Sequence, residues 1–175
     1  MTVPDTLPGG STAPVVPEEL VEDAFWALLD LVGDLRGPDD PYRDLVAALA
    51  ALPVEGIAAF DQSLARALHK LDRRDLADVV VSWQRVTYLC DDLFLHLRCG
   101  IVAAGRAAHR AVLADPEAAR PLLHWEQQDE GLLAVADAAH LAVTGRPRLR
   151  PVYRYEYESR SNSAGWARDG APPAP

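Results

Sequence analysis

The sequence lacks several features on which whole protein classes depend. Its two cysteines, Cys90 and Cys99, are nine residues apart and do not have the close spacing of a zinc or redox pair. A disulfide framework is therefore not expected, and a reducing, cytoplasmic compartment is. No apolar run approaches the roughly 18 to 20 residues that cross a bilayer, and the start of the chain has neither the basic residues nor the apolar stretch of a secretory signal. We expect no membrane association.

Catalytic and cofactor motifs are also missing. The chain has no Gly-x-Ser-x-Gly nucleophile elbow, no glycine-rich phosphate loop and no Glu-x-x-His pair of the type that holds two irons in a helical bundle. Asp92 with His96, and Asp137 with His140, are spaced so that each pair can meet one ion, but a pair supplies too few ligands. We therefore predict no cofactor and no metal site.

Lysine is almost absent. Lys70 stands beside 16 arginines and abundant alanine, a bias typical of a GC-rich bacterial genome. The net charge of −9 is uneven, because residues 1–145 carry 11 basic and 23 acidic side chains, whereas residues 146–175 carry six basic and three acidic ones. An acidic body repels phosphate backbones, so nucleic acid is not expected as a partner.

The apolar residues that are present recur at the spacing of helices. The chain has 175 residues, 49% of them hydrophobic, which suffices for one core, whereas two domains would each be marginal. We predict an all-α fold, a single irregular multi-helix domain of about six to seven helices, because residues 17–145 lack the alternating pattern of strands. The predicted helices cover residues 17–35, 41–52, 53–71, 75–87, 91–113, 116–123 and 125–144, and Gly145 is the expected C′ residue of the last. The fifth, the longest and most apolar of them, is expected to be central.

Both ends of the chain differ from this helical domain. Residues 1–16, rich in Pro, Gly, Ser and Thr, are expected to form a disordered tail. Residues 146–175 begin with tyrosines that alternate with charged residues after Pro147 and Pro151. We expect an extended, Arg- and Tyr-rich segment, the C-terminal strap, that lies on the acidic body and loosens toward the chain end. Trp166 is its expected anchor.

The fifth predicted helix contains the main candidates for chemistry. Asp91 and Asp92 open it, His96 follows one turn later, and Arg98 lies on a helical line with Asp91 and His109. A guanidinium on this apolar face must find an acid or carbonyl groups, because a buried unpaired charge is costly. On one interpretation Asp91 or Asp92 is the N-cap of the helix. On the other, Asp91, Asp92, His96 and Arg98 line a ligand pocket.

Further binding candidates lie on other predicted helices. Trp26, Trp83 and Trp125 are large enough to line a groove or a core, and His109 lies on the face described above. Glu126 follows Trp125 at the start of the seventh helix, where a carboxylate is either favoured by the helix dipole or placed for acid-base work. We predict Trp26, Trp83, His109, Trp125 and Glu126 as groove-lining residues.

Several short motifs occur together: Phe25-Trp26, Phe60-Asp61, Cys90-Asp91-Asp92 with Phe94 and Arg98, Gly105-Arg106, and Leu113-Ala114-Asp115-Pro116. In these motifs residues 22–119, and less strongly the residues up to 145, resemble an uncharacterised bacterial helical family, the domain of unknown function 4240. The most specific part is the acidic pair, Phe and Arg at fixed spacing on one helix. The resemblance implies a helical fold and no particular activity.

Three functions are consistent with this sequence. We favour a cytoplasmic binding or accessory module whose acidic or aromatic groove takes a protein or peptide partner, because the chain is acidic and lacks catalytic motifs. The alternative is a small helical enzyme that modifies a peptide or small metabolite, in which Arg98 holds an anion while Asp91, Asp92 or His96 moves protons. A third interpretation is a protein that neutralises a basic partner by presenting an acidic surface in place of nucleic acid.

Overall fold

A computed structural model describes residues 16–35, 39–123, 131–148 and 151–167. Within these residues every regular element is a helix and no strand occurs, which confirms the predicted all-α fold. We number the α-helices in chain order, with one 3-10 helix between α6 and α7. Their bounds are Glu22–Leu29 (α1), Arg43–Ala50 (α2), Val54–Leu71 (α3), Arg74–Gln84 (α4), Asp91–Ala103 (α5), Arg106–Ala114 (α6), Pro116–Leu122 (the 3-10 helix), Gly131–Thr144 (α7) and Ser163–Trp166 (α8).

Gly105 divides the predicted fifth helix into α5 and α6. Its φ of 90° lies in a region that residues with a Cβ rarely adopt, while an added Cβ would meet no atom within 4 Å. Backbone conformation rather than space therefore requires glycine here. Arg98 and His109 lie on different sides of this break, so the prediction that they share one helix face is wrong.

The central element is α3 and not the predicted fifth helix. α3 is the longest helix described, and it contacts α1, α2, α5, α6 and α7. Its side chains are buried around most of its circumference. The helical spacing of the apolar residues in α3 puts Asp61 outside its apolar face. Asp61 is nevertheless only 4% exposed, because the start of the C-terminal strap covers it.

The helix ends follow the sequence signals in part. α2 begins later than predicted, because the Asp40 carboxylate accepts the N–H of Tyr42 at 2.9 Å and forms a turn ahead of the helix. Asp115 accepts the N–H of Glu117 at 3.0 Å and so caps the predicted helix over residues 116–123, which is of the 3-10 type.

The first and last predicted helices of the body are shorter in the structure. α1 begins at Glu22 and not at residue 17, and it ends at Leu29, well before residue 35. The predicted start of the seventh helix at Trp125 lies outside the described residues. Its predicted end is confirmed, because Gly145 follows α7 with a φ of 67°.

The C-terminal strap runs along α3. Between Pro151 and Arg160 exposure alternates, with odd-numbered residues half-buried and even-numbered residues exposed, which is the period of an extended chain. Tyr153, Tyr155 and Tyr157 are therefore on the side of the body. The strap then turns into the short helix α8, where the Trp166 ring lies 6.0 Å from that of Phe94.

Candidate functional site

Buried polar side chains are concentrated where the strap crosses α3. Of the six buried polar or charged residues in the described part of the chain, four lie here: Asp61, Gln62, Asp72 and Arg98. We call the surface that these four form with His69 the α3 groove. Three of its members come from α3, Asp72 follows that helix directly, and Arg98 comes from α5.

Gln62 binds the main chain of the strap. Its Nε2 donates to the carbonyl of Val152 at 2.7 Å, and its Oε1 accepts the N–H of Arg154 at 3.0 Å. Two turns further along α3, Nδ1 of His69 lies 2.6 Å from the carbonyl of Glu156. The Gln62 amide thus supplies the donor and the acceptor that a neighbouring β-strand would offer to an extended chain.

Asp72 binds the next part of the strap. Its Oδ1 accepts the N–H of Arg160 at 2.9 Å and the indole N–H of Trp166 at 2.8 Å, and its Oδ2 accepts the N–H of Asn162 at 2.9 Å. Asp72 is fully buried. Several N–H donors offset the cost of burying a carboxylate, so the strap stabilises this charge.

Arg98 closes the groove from α5. It is 0% exposed; its Nη1 donates to the carbonyl of Leu68 at 3.0 Å and lies 4.0 Å from Oδ1 of Asp72, and its Nη2 donates to the Ser159 hydroxyl at 2.9 Å. Burial lowers the pKa of Arg98, and the Asp72 charge opposes that shift. The sequence predicts an acid and a carbonyl as partners of the buried guanidinium, and these are Asp72 and Leu68. The guanidinium does not face an open pocket.

Asp61 receives two side chains from the beginning of the strap. Its Oδ2 accepts a hydrogen bond from Nη2 of Arg148 at 2.7 Å and another from the Tyr153 hydroxyl at 2.8 Å. Arg148 also donates from Nε to Asp137 of α7 at 2.8 Å. Burial raises the pKa of Asp61, although Arg148 and Tyr153 oppose the shift, and burial beside this carboxylate raises the pKa of Tyr153. The phenol therefore remains a proton donor to Asp61.

The two aspartates predicted to accompany Arg98 lie at the surface. The N-cap of α5 is Cys90, which makes no side-chain cap, so Asp91 and Asp92 occupy the first turn and neither is the N-cap. The carboxylate of Asp91 lies 3.2 Å from Nε of Arg160, and its carbonyl accepts the Ser159 hydroxyl at 2.6 Å. The hydroxyl of Ser159 thus links the main chain of Asp91 to Arg98 by hydrogen bonds.

A surface cavity of about 210 Å³ opens beside Asp91, with Tyr88, Phe94 and Trp166 in its walls. Asp92, His96 and Arg98 are not among the residues that line it. The four residues of the predicted pocket are therefore not brought together around one space, and the role of each of them in chemistry stays a prediction.

Two of the predicted binding residues do meet. The rings of Trp26 and His109 are 5.0 Å apart between α1 and α6, and both line a pocket of about 100 Å³. His109 is 4% exposed, and its Nε2 lies 3.1 Å from the carbonyl of Ala67. Burial lowers the pKa of His109, so its ring is neutral and donates from Nε2 to this carbonyl.

The remaining predicted binding residues lie elsewhere. Trp83 is 45% exposed; its indole N–H donates to the carbonyl of Leu123 at 3.3 Å, and Arg120 lies over its ring at 5.6 Å. Trp125 and Glu126 lie outside the described residues. No group of three or more His, Cys, Asp or Glu among the described residues can hold a metal ion, and no helix there is long and apolar enough to cross a membrane.

The sequence analysis missed Gln62, Asp72 and Ser159 as members of a site. Gln62 and Asp72 resemble any exposed polar residue of a helix or a charged joint until the strap is placed against them. The available signal was in the strap itself, because tyrosines at every second position predict an extended segment with one face on the body.

These observations define an all-α domain with a buried polar groove that an extended segment of the same chain fills. A family model described as "Protein of unknown function (DUF4240)" matches residues 20–143, and the chain belongs to this family. The four buried polar residues of the α3 groove lie within the matched residues and the strap lies beyond them. No curated protein and no solved structure matches the chain.

Proposed function

We propose that this protein is a binding module that takes an extended segment of a protein or peptide partner in the α3 groove. The observation that carries the proposal is the main-chain recognition of the strap by Gln62 and Asp72. Main-chain hydrogen bonds are how extended peptides bind at sheet edges, and here buried side chains of a helical body make the equivalent bonds.

The location and charge of the groove support this function. Asp61, Gln62, Asp72 and Arg98 belong to the part of the chain that matches the family, whereas their occupant follows that part. Residues 146–175 are net basic and the body is acidic, so the groove and its occupant are complementary in charge. The strap therefore acts as a built-in occupant of a surface that belongs to the domain.

No observation on the described residues favours the enzyme alternative. Arg98, the predicted anion holder, is buried against Leu68 and Asp72 and is separated from the surface by the strap. Catalysis at Asp91, Asp92 and His96, the cytoplasmic compartment and the bacterial origin stay predictions.

The test uses the full chain and a synthetic, fluorescently labelled peptide with the sequence of residues 146–167. A strap-weakened chain carries Arg148→Met, Tyr153→Ala and Trp166→Ala, which remove three anchors of the built-in occupant and change nothing in the groove. We expect saturable one-to-one binding of the peptide to the strap-weakened chain by fluorescence polarisation. Binding to the unchanged chain is expected to be at least about tenfold weaker, because its own strap competes at high effective concentration.

A matched pair of substitutions identifies the groove as the binding surface. Gln62→Leu in the strap-weakened chain removes the amide that binds the main chain of the peptide. Peptide binding is therefore expected to fall by about tenfold or more. Gln84→Leu on α4 is the control, because the Gln84 amide makes no hydrogen bond within the described residues. Circular dichroism checks that each variant is folded. Absence of peptide binding to a folded strap-weakened chain, or equal loss in both Leu variants, would contradict the proposal.

A further inference from the structure

We infer that the α3 groove selects partners in which an arginine precedes a tyrosine by five residues, and that Asp61 is the residue that selects them. This inference rests on the proposed function and adds to it the chemistry of the partner. In the strap the two side chains are Arg148 and Tyr153, and both donate to the same carboxylate oxygen.

Asp61 contributes specificity that main-chain recognition cannot. Gln62, and Asp72 in its bonds to Arg160 and Asn162, bind main-chain groups that almost every residue possesses, so these bonds do not distinguish one sequence from another. Asp61 is 4% exposed, and the hydrogen bonds that it accepts from described residues come from two side chains, those of Arg148 and Tyr153. A partner that lacks these donors would leave a carboxylate desolvated and unpaired, which is the contact that most strongly rejects a wrong partner.

The geometry at Asp61 favours arginine over lysine. Arg148 donates from Nη2 to Asp61 on α3 and from Nε to Asp137 on α7, so one planar guanidinium joins two helices. An ammonium group carries its three N–H donors on one atom, so it does not reproduce the two separate nitrogens, Nε and Nη2, with which the planar guanidinium reaches the two carboxylates. The groove therefore distinguishes two residues of equal charge.

Tyrosine is specified by both its hydroxyl and its ring. The Tyr153 hydroxyl reaches Asp61 at 2.8 Å, and its ring packs edge-to-face on that of Tyr157 at 5.1 Å. Because exposure alternates along the strap, these two rings lie on the side that faces the body. The segment that fits is thus extended from Pro151 onward with tyrosine on its inner face, and its arginine stands five residues before that tyrosine in sequence.

The test is a double-mutant cycle in the strap-weakened chain with the labelled peptide of residues 146–167. We expect the peptide change Arg148→Met or Arg148→Lys to weaken binding by about tenfold or more when the chain carries Asp61. In a chain that also carries Asp61→Asn, which retains the size of the side chain, the same peptide changes are expected to alter binding less than about twofold. The peptide change Tyr153→Phe should behave in the same way, because it removes only the hydroxyl.

The outcomes separate this inference from the proposed function. If all peptides bind the strap-weakened chain equally well, selection by Asp61 is wrong while the groove remains a peptide site. If no peptide binds, both are wrong. Light scattering on the strap-weakened and unchanged chains is expected to show monomers. A dimer formed by strap exchange would assign the groove to a second copy of this chain and overturn its assignment to a separate partner.

Discussion

The two opposite faces of α3 bury polar side chains in different ways. The face toward the strap has two carboxylates, Asp61 and Asp72, and the guanidinium of Arg98 against it. On the face toward α1 and α6 the buried polar groups of the described residues are neutral, namely the hydroxyl of Ser63 and the ring of His109. The two faces follow from the helical period, since Asp61 and Asp72 lie on nearly the same helical line and Ser63 lies across from it.

The partners of the two faces differ as well. Ser63 accepts the N–H of Leu20 at 2.9 Å and donates to the carbonyl of Ala59 at 3.0 Å, so its bonds lie within the helical domain. The charges on the other face depend on donors from the end of the chain. Because the buried charges need donors from the strap, loss of the strap should strongly lower the stability of that face. The neutral face has its hydrogen-bond partners within the helical domain.

The largest effect that this comparison predicts is for Asp72→Asn. The change removes the carboxylate that lies 4.0 Å from buried Arg98 and disturbs acceptors for Arg160, Asn162 and Trp166. We expect the free energy of unfolding to fall by about 3 to 5 kcal/mol, measured by urea denaturation. Asp75→Asn, a half-exposed aspartate three residues on, is the control. Equal small effects of the two substitutions would show that the strap face does not depend on its charges.

A smaller effect is expected for Trp166→Phe. The substitution keeps an aromatic ring against Phe94 and removes the indole N–H that donates to Asp72. A hydrogen bond to a charged group contributes about 2 kcal/mol, so unfolding should become easier by that amount in a urea titration. Trp83→Phe removes an indole bond to the neutral carbonyl of Leu123 at a partly exposed position and should cost less. A larger loss for Trp83→Phe than for Trp166→Phe would contradict the assigned role of the strap anchor.

The neutral face should respond to pH through His109. Its folded-state pKa is lowered by burial from the ordinary 6.5, and the charges near it are those of Lys70, Arg110 and Glu22. A base with a lowered folded pKa binds more protons when unfolded, so its contribution to stability is present above about pH 6.5 and is lost as the pH falls toward the folded pKa. The loss is at most about 1.4 kcal/mol per pH unit.

Urea denaturation at pH 7.5 and at pH 5.5 measures this dependence. His109→Gln keeps an N–H donor for the Ala67 carbonyl but does not titrate, so its stability should fall less between the two pH values than that of the unchanged chain. Parallel pH profiles of the two chains would rule out a neutral buried His109.

The smallest effect is expected for Arg106→Met. Arg106 donates to Asp23 at 2.6 Å and to Glu22 at 3.0 Å and so joins α6 to α1, but these partners are exposed. Exposed ion pairs add little to stability and are screened by salt. The urea midpoint should change little at low salt and not at all at high salt. A loss as large as that of Asp72→Asn would mean that exposure does not separate the two faces.

The sequence predicts the helical class well and the site poorly, for physical reasons. Apolar spacing shows where a chain can bury one face of a helix, and each described helix of the body lies in or close to a predicted one. The break at Gly105 escaped prediction, because a single glycine within an apolar helix is tolerated at a cost of only about 1 kcal/mol. The boundaries of the predicted tails stay predictions.

The burial of Arg98 shows the limit of prediction from local sequence. Its position on an apolar face predicts that the guanidinium needs a carbonyl and an acid, and the structure supplies Leu68 and Asp72. Neither partner is close in sequence, so their identity depends on tertiary packing. Gln62 is a further case, because its two partners lie 90 and 92 residues further along the chain.

The strap is bound largely through its main-chain amides and carbonyls. Parts of its sequence can therefore change without the loss of these bonds. Two positions that point outward, Val152 and Glu156, contact the α3 groove through their carbonyls while their side chains are exposed. They are therefore free to acquire new charges or new contacts while the register under them is preserved. Such a protein can vary the outward side chains of its C-terminal strap while the main-chain contacts of the strap stay the same.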